Sequence, residues 1–513
     1  MRKKQTKIIN IFSQDYLIAI ILFLLAFGVR TIPEIKAGIW PIGYDTFNTY
    51  LAEISMYQGS LIHWLKTANL VYFLFLPFKL LGINSSFIIK FFGPLLFGLL
   101  TASFYYWARF FVGLKPLKSF LATLIVIFQL ATLRLSWDLY RNELALIFLF
   151  LAYINLHSLK KTKNVAFLTI LSVLIALSNE LVTVILLVTL AIFFFFLLKK
   201  KKFKDLPKVA LPFALASIVF LVIISSSKEV LYNTHVIFTS ENNYLVWRYF
   251  WQYQKDMSFA ELSQTITGIF WLYYRYLLGF ALLGFWLLRK NVILSVLTMW
   301  LVVGTFSALA LGGTGIIVWD RWMVMLAFPF AIYAVEGVFY IGGLFATKPF
   351  KKLKFITYPT MVVFWLVFLG VLAWQVWPFL TRTYHDAKPP LANDQINEYF
   401  PRTMVHNAVG ITKIENSLDC VAWLDKNVPS GSAVIVDNRW RGLMLQNFEM
   451  DNRYVITNAW SEQWPRKTFE FAVEKGFTKV YLIWNTSRDI RYFDRVFSSG
   501  NVAVYESKPP EDW

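Results

Sequence analysis

Apolar runs close to the length that crosses the ~30 Å hydrocarbon core of a bilayer recur along this chain, and no other feature restricts its fold so strongly. They fall at 16–29, 87–111, 119–135, 144–159, 165–178, 181–198, 206–224, 266–288, 292–311, 322–345 and 355–377. Read as spans, they predict an α-helical polytopic membrane protein with about 11 transmembrane helices. The first run continues beyond signal-peptide length without a clear small-residue cleavage site, so it is expected to stay on the protein as a signal anchor.

The apolar segment 69–82 is left out of this count. At ~1.5 Å per residue it falls short of the core, and it carries Pro77 and Lys79, so it is expected to lie at the interface. The formal charge of +19 tests that choice. With 69–82 outside the membrane, Arg109/Lys115/Lys118, Lys160/Lys161/Lys163, the run from Lys199 to Lys208, Arg289/Lys290 and Lys348 to Lys354 share the side of the basic N-terminus, which is cytoplasmic by the positive-inside rule. Counting it as a span throws all of them outside. Basic charge spent in this way reports orientation, and nucleic acid is not an expected partner. The single cysteine, Cys420, excludes an internal disulfide framework and a cysteine-built metal site.

This topology places Asp45, Asp138, Glu180, Glu241 and Asp320 on the non-cytoplasmic face. Trp137, Trp319, Trp322, Trp374 and Trp377 fall at outer helix ends, as an interfacial tryptophan belt would. Beyond 377 the composition turns polar. A membrane domain, 1–380 with an external loop 30–86, is expected to pass through an irregular connector, 381–416, into an extracytoplasmic domain, 417–513. Its alternating pattern predicts helix 417–427, strand 433–437, helix 440–448, strand 454–458, helix 465–475, strand 479–484, helix 488–497 and strand 502–506, a soluble α/β layer with a mainly parallel sheet.

Gly43-Tyr44-Asp45-Thr46-Phe47 follows the first span directly. A carboxylate in a headgroup-level turn suits general-base chemistry on a hydroxyl, but Asp before a polar-apolar run is also a common helix N-cap. Ser136-Trp137-Asp138-Leu139-Tyr140-Arg141-Asn142-Glu143 packs acids and an arginine into the second external turn. There Asp138 is suited to raising the proton affinity of Asp45 or to sharing a divalent cation (Mg or Mn) with it, and Arg141 to holding a phosphate. The plain alternative is an Asp138/Arg141 helical ion pair. Asn179-Glu180 breaks two apolar runs, which points to a cavity, a cation or simply a tight turn. The long outer loop 225–264 holds His235, Glu241, Arg248 and many aromatics; a solvated amphipathic helix is its simpler reading, and His235 has no metal-spaced partner. Gly312-Gly313-Thr314-Gly315 leads into Trp319-Asp320-Arg321-Trp322, where Arg321, with Arg141 and Arg275 as rivals, is placed to neutralise a leaving phosphate or to anchor a helix at the headgroups.

The layout, and Gly43-Tyr44-Asp45-Thr46-Phe47 in particular, resembles the GT-C superfamily of multispan glycosyltransferases, which includes protein O-mannosyltransferases, aminoarabinose transferases and oligosaccharyltransferase catalytic subunits. Asp45 and Asp138 match its first-loop and second-loop acids, and residues 16–198 carry most of the likeness. Trp319-Asp320 is similar to the oligosaccharyltransferase tryptophan-aspartate motif in those two residues only; it precedes a span, so no peptide-binding role is carried over. The resemblance implies transfer of a sugar from a polyprenyl-phosphate donor, at the outer leaflet, to a lipid, glycan or protein acceptor hydroxyl, with inversion. Asp45 and Asp138 would be catalytic or metal-bound, Arg141 and Arg321 would bind the donor phosphate, and Tyr44, Glu143, Glu180, Glu241 and Asp320 would support them. A lipid-linked saccharide flippase and a non-catalytic glycan-binding protein are the competing classes; paired halves and broken central helices, expected of a transporter, are not evident in the sequence.

Overall fold

The computed structural model describes residues 2–43, 45–55, 64–65, 68–156, 159, 161–225, 236–238, 258–310, 319–345, 354–381, 411–449, 453–458, 466–486 and 490–508. The chain is a multi-pass helical membrane protein with a C-terminal α/β domain. Each of the eleven apolar runs becomes a helix or a bent helix pair. By length and composition, six helices among the described residues can cross a membrane: Gln14–Lys36, Ser85–Phe111, Glu180–Lys199, Phe203–Ser225, Trp319–Gly343 and Thr360–Thr381. The number rises to eight when each of two bent pairs counts as one span. Tyr140–Leu156, Thr162–Ser178 and Val292–Ala310 cover the other predicted spans, and Thr162–Ser178 and Val292–Ser307 count among the shorter apolar helices. The ten-residue helix Val71–Leu80 is about 15 Å long, too short to span, and buries Val71, Tyr72 and Phe75.

The bent pairs correct the expectation of unbroken central helices. Pro116–Phe128 meets Leu130–Asp138 at 63°, and Phe259–Tyr274 meets Leu278–Leu288 at 82°. At the first break Gln129 is extended (φ −90°, ψ 137°), which removes it from the helical ladder and redirects the chain toward Asp138. Hydropathy reads such pairs as single runs because a bend changes geometry and leaves composition alone. Helix pairs approach closely where they must: a Cβ on Gly284 would strike the backbone of Tyr333, and one on Gly337 the backbone of Phe280, so the helices Leu278–Leu288 and Ala327–Phe345 meet at small residues.

In the C-terminal domain, strands β1 (Val236–Phe238), β2 (Ala433–Asp437), β3 (Tyr454–Asn458), β4 (Val480–Asn485), β5 (Phe493–Ser499) and β6 (Val502–Ser507) form one sheet in the order β1-β3-β2-β4-β6-β5. Its first three contacts are parallel and its last two antiparallel. The helix expected at 488–497 is instead mostly β5. The Phe493 to Phe497 stretch pairs across the two-residue Gly500-Asn501 turn with β6, and short-range hairpin pairing outweighs the helix that the alternation predicted. The helix before β2 begins at Ile411, earlier than the expected 417. Strand β1 comes from the segment between the helices Leu206–Ser225 and Phe259–Tyr274, and it forms the edge of the sheet.

Two of the five tryptophans expected in an interfacial belt are exposed. Trp374 and Trp377 are exposed, whereas Trp137, Trp319 and Trp322 are buried in protein, Trp137 beneath the Arg30 guanidinium at 5.0 Å.

Candidate active site

The segment after the first helix is short and tightly held. After the helix Arg2–Lys36 the chain turns through Gly38 and Gly43 into a π-helical turn, Thr46–Tyr50, followed by the helix Leu51–Ser55. Gly43 sits at φ +108°, and a Cβ there would stand 2.7 Å from the Trp137 carbonyl oxygen and 2.8 Å from Asp138 Cβ. Thr46 Oγ1 donates to the same Trp137 carbonyl at 3.5 Å. The two acid-bearing loops, far apart in sequence, are thus in van der Waals contact.

Asp45 occupies the N-cap position of the π-helical turn, yet its side chain makes no capping hydrogen bond. Its carboxylate instead faces Arg321, Oδ2 to Nη2 at 3.7 Å, and the two side chains are 35% and 30% exposed. An ion pair this open and this long leaves both groups accessible to a ligand. Asp138 is different: its side chain is 2% exposed and ion-paired with Arg134, one helical turn earlier. Arg134 also lies in the field of Asp320 and beside Tyr273, so Asp138, Arg134, Asp320 and Tyr273 form one cluster beneath the loop. The bend at 274–278 brings Tyr273 there.

Arg141 does not pair with Asp138. Its Nη2 is 2.7 Å from Glu180, and its Nε donates to the Ala68 carbonyl at 2.9 Å and the Ser178 carbonyl at 3.3 Å. Asn179 caps the following helix by accepting from Val182 N–H at 3.1 Å, and donates to Asn142 at 3.0 Å. The Asn179-Glu180 break is therefore tied to the turn at 139–142. Glu143 is fully buried, and among the described residues its oxygens meet no hydrogen-bond donor. Arg275 lies over the Tyr276 ring at 4.7 Å, at the second helix bend.

Tyr50 links the two halves. Its ring stacks on Tyr140 at 5.0 Å, and its hydroxyl accepts from the Arg141 backbone N–H at 3.4 Å. Burial first, then the charge of Asp45, pushes the Tyr50 phenol well above its ordinary range, with Arg141 and Arg321 pulling the other way. It stays protonated at any physiological pH. The C-terminal domain lies against this site: its helix Asn438–Asn447 packs on both the π-helical turn and Leu51–Ser55.

Tyr44, Glu241, His235, Arg248 and the glycines at 312, 313 and 315 lie outside the described residues. Sequence reasoning missed Arg134, Tyr50 and Tyr273. Arg134 and Asp138 stand four residues apart, a helical pairing signal, but the arginine sits inside an apolar run. Among the described residues no group of three or more His, Cys, Asp or Glu can hold a metal ion. Asp45 and Asp138 each face an arginine, and no chemical step is routed through a divalent cation.

No family model matches the chain, and no curated protein matches it in sequence. Among solved structures it is similar to the oligosaccharyltransferase of Archaeoglobus fulgidus, crystallised with zinc and sulfate: 14% identity and a TM-score of 0.53, covering 91% of this chain and 67% of that one. ArnT of Cupriavidus metallidurans, bound to undecaprenyl phosphate, aligns over 96% of this chain and 97% of its own at 11% identity, but its TM-score of 0.48 is too low to carry weight. At such identities the likeness is one of fold.

Proposed function

We propose that this chain, which has the fold of the GT-C glycosyltransferases, moves a sugar from a polyprenyl-phosphate donor to an acceptor hydroxyl on the extracytoplasmic face. The observation that carries this reading is the partly exposed Asp45–Arg321 pair, which joins the turn after the first helix to the helix Trp319–Met325. Asp45 accepts the proton of the acceptor hydroxyl as its oxygen attacks the anomeric carbon. The bond from that carbon to the phosphate oxygen breaks, and polyprenyl phosphate departs with the electron pair. Arg321 turns from Asp45 to the phosphate, whose charge grows as the bond breaks, so the same arginine faces the base before reaction and stabilises the leaving group during it. A single displacement inverts the anomeric centre. Asp138, held by Arg134, sets the field behind Asp45, and Arg141, committed to Glu180, braces the site. Asp320 and Glu143 belong to its supporting polar shell, as Tyr44 and Glu241 would.

The two bent helix pairs favour a second reading, a flippase for lipid-linked saccharide, because broken helices line transport paths. Purified protein incubated with a panel of polyprenyl-phosphate sugars and an acceptor mixture separates the two. Transferase activity releases polyprenyl phosphate, and Asp45→Asn lowers that release at least about 100-fold. Translocation of donor without release, unchanged in Asp45→Asn, would establish the flippase instead.

A further inference from the structure

Arg30 is among the largest fully buried side chains of the protein, and it sits one turn from Glu34 on the first helix, Nη1 to Oε1 at 2.8 Å. Both charges are withdrawn from solvent, an arrangement that packing alone does not require: an apolar pair of similar volume stabilises a buried site as well or better. What the charged pair does is reach both catalytic loops. Arg30 Nε donates to the Ser136 carbonyl at 3.1 Å and Nη2 to the Trp137 carbonyl at 3.3 Å, the residues immediately before Asp138. The guanidinium also lies over the Trp137 ring. Glu34 Oε2 accepts the Ile42 backbone N–H at 3.3 Å, immediately before Gly43 and three residues before Asp45.

Lys90, from the helix Ser85–Tyr106, completes the clamp. Its Nζ lies 3.9 Å from Glu34 Oε2 and donates to the carbonyls of Glu34 at 2.5 Å, Gly38 at 2.6 Å and Trp40 at 3.2 Å. Space for the guanidinium is reserved on the same helix: a Cβ on Gly93 would fall 3.1 Å from Arg30 Nη2. One buried ion pair therefore grips residue 42 with its acid and residues 136 and 137 with its base.

We infer that Arg30 and Glu34 are positioning residues that set the spacing of Asp45 and Asp138, a role that rests on the transferase reading above. Neither touches the reacting atoms; both act through the backbone of the loops that carry them. A small misplacement of a catalytic group costs rate without weakening substrate binding, since the binding contacts lie elsewhere.

The test uses the full-length protein and the variants Arg30→Lys, Arg30→Met and Arg30→Met/Glu34→Met. Three quantities are followed: kcat and donor KM for polyprenyl phosphate release, melting temperature, and backbone hydrogen exchange over residues 37–43. The double variant removes both charges together, so its melting temperature stays within about 3 °C of the parent. Its kcat nonetheless falls at least about 30-fold with donor KM within about twofold, and the Ile42 amide exchanges faster. Arg30→Lys keeps the charge but cannot bridge two carbonyls and Glu34 together, and it loses kcat in the same sense. Recovery of parental kcat in the double variant, or unchanged exchange at Ile42, would overturn the inference; a merely structural pair predicts that recovery. A parent that releases no polyprenyl phosphate defeats the transferase reading, and the exchange at Ile42 then decides alone whether the pair holds the loop.

Discussion

Arg321 faces Asp45 across 3.7 Å from a helix nearly three hundred residues further along the chain, and both side chains stay about a third exposed. Exposed pairs of that length contribute only about 0–1 kcal/mol to stability. Stability and activity should therefore separate at this pair. Arg321→Gln is expected to leave the melting temperature within about 2 °C of the parent while lowering polyprenyl phosphate release by about 10²-fold or more. Parallel thermal melts and turnover assays measure both, and a loss confined to the melt would refute the role given to Arg321.

Arg141 carries the opposite expectation. Its guanidinium is held by Glu180 and two carbonyls with little exposure, so Arg141→Met leaves a carboxylate and two acceptors without their donor. Breaking a pair of this kind costs about 3 kcal/mol or more, and the variant should melt well below the parent. Arg141→Met/Glu180→Met should recover most of that loss. If Arg141→Met were as stable as the parent yet inactive, Arg141 would be a phosphate ligand after all.

The contrast between the two arginines marks how far the sequence could be read. Apolar runs located the six to eight helices that can cross a membrane among the described residues, and alternation located β2 and β3 at their observed bounds, because burial follows composition directly. Turn position and charge bias brought Asp45 and Asp138 to one face, and the Gly43 contact joins their loops. Partners were another matter. Arg134 and Arg30 sit within or just beyond apolar runs, where a charge reads as an imperfection, although each has an acid four residues on. The bonds from Arg30 to the carbonyls of residues 136 and 137 cross more than a hundred positions and involve backbone atoms common to all residues, so no side-chain pattern announces them. The helix expected at 488–497 failed for a related reason: the alternation of elements called for a helix there, and only pairing with the neighbouring β6 makes a strand of it.

Gly43 offers a test of loop contact that leaves every charged group in place. In Gly43→Ala the new methyl meets the Trp137 carbonyl oxygen and Asp138 Cβ at under 3 Å, on a backbone at φ +108° that alanine disfavours. The strain of such a position is about 1–3 kcal/mol, relieved by moving the first loop off the second. Turnover should fall at least tenfold with Asp45, Asp138 and Arg321 all present, about the loss that a displaced catalytic group produces. Parental kcat in this variant would show that the spacing of the loops does not matter.

Cys420 is buried in the C-terminal domain, and desolvation pushes its thiol up to about 12. A thiol raised from about 8.5 in the unfolded chain contributes stability that is complete below that pH and is lost as pH climbs toward the folded value. Native protein at pH 8 should resist maleimide, whereas denatured protein at the same pH should react fully. Rapid labelling of native protein would place the thiol at the surface and remove it from the core of this domain.

Strand β1 makes a prediction about how the two domains are joined. Val236 is the parallel register partner of Val455 in β3, so Val236→Cys/Val455→Cys places two thiols on adjacent strands facing the same side of the sheet. Neighbouring strands lie about 4.8 Å apart, inside the range a disulfide tolerates, and the one native cysteine is buried and out of reach. With a protease site inserted between residues 382 and 410, oxidised and cleaved protein should migrate as one species and separate into two on reduction. The same variant shifted by one residue, Ile237→Cys/Val455→Cys, puts the thiols on opposite faces and should cross-link far less. Equal cross-linking by both pairs would mean that the loop is loosely tethered and not held in the β1–β3 register.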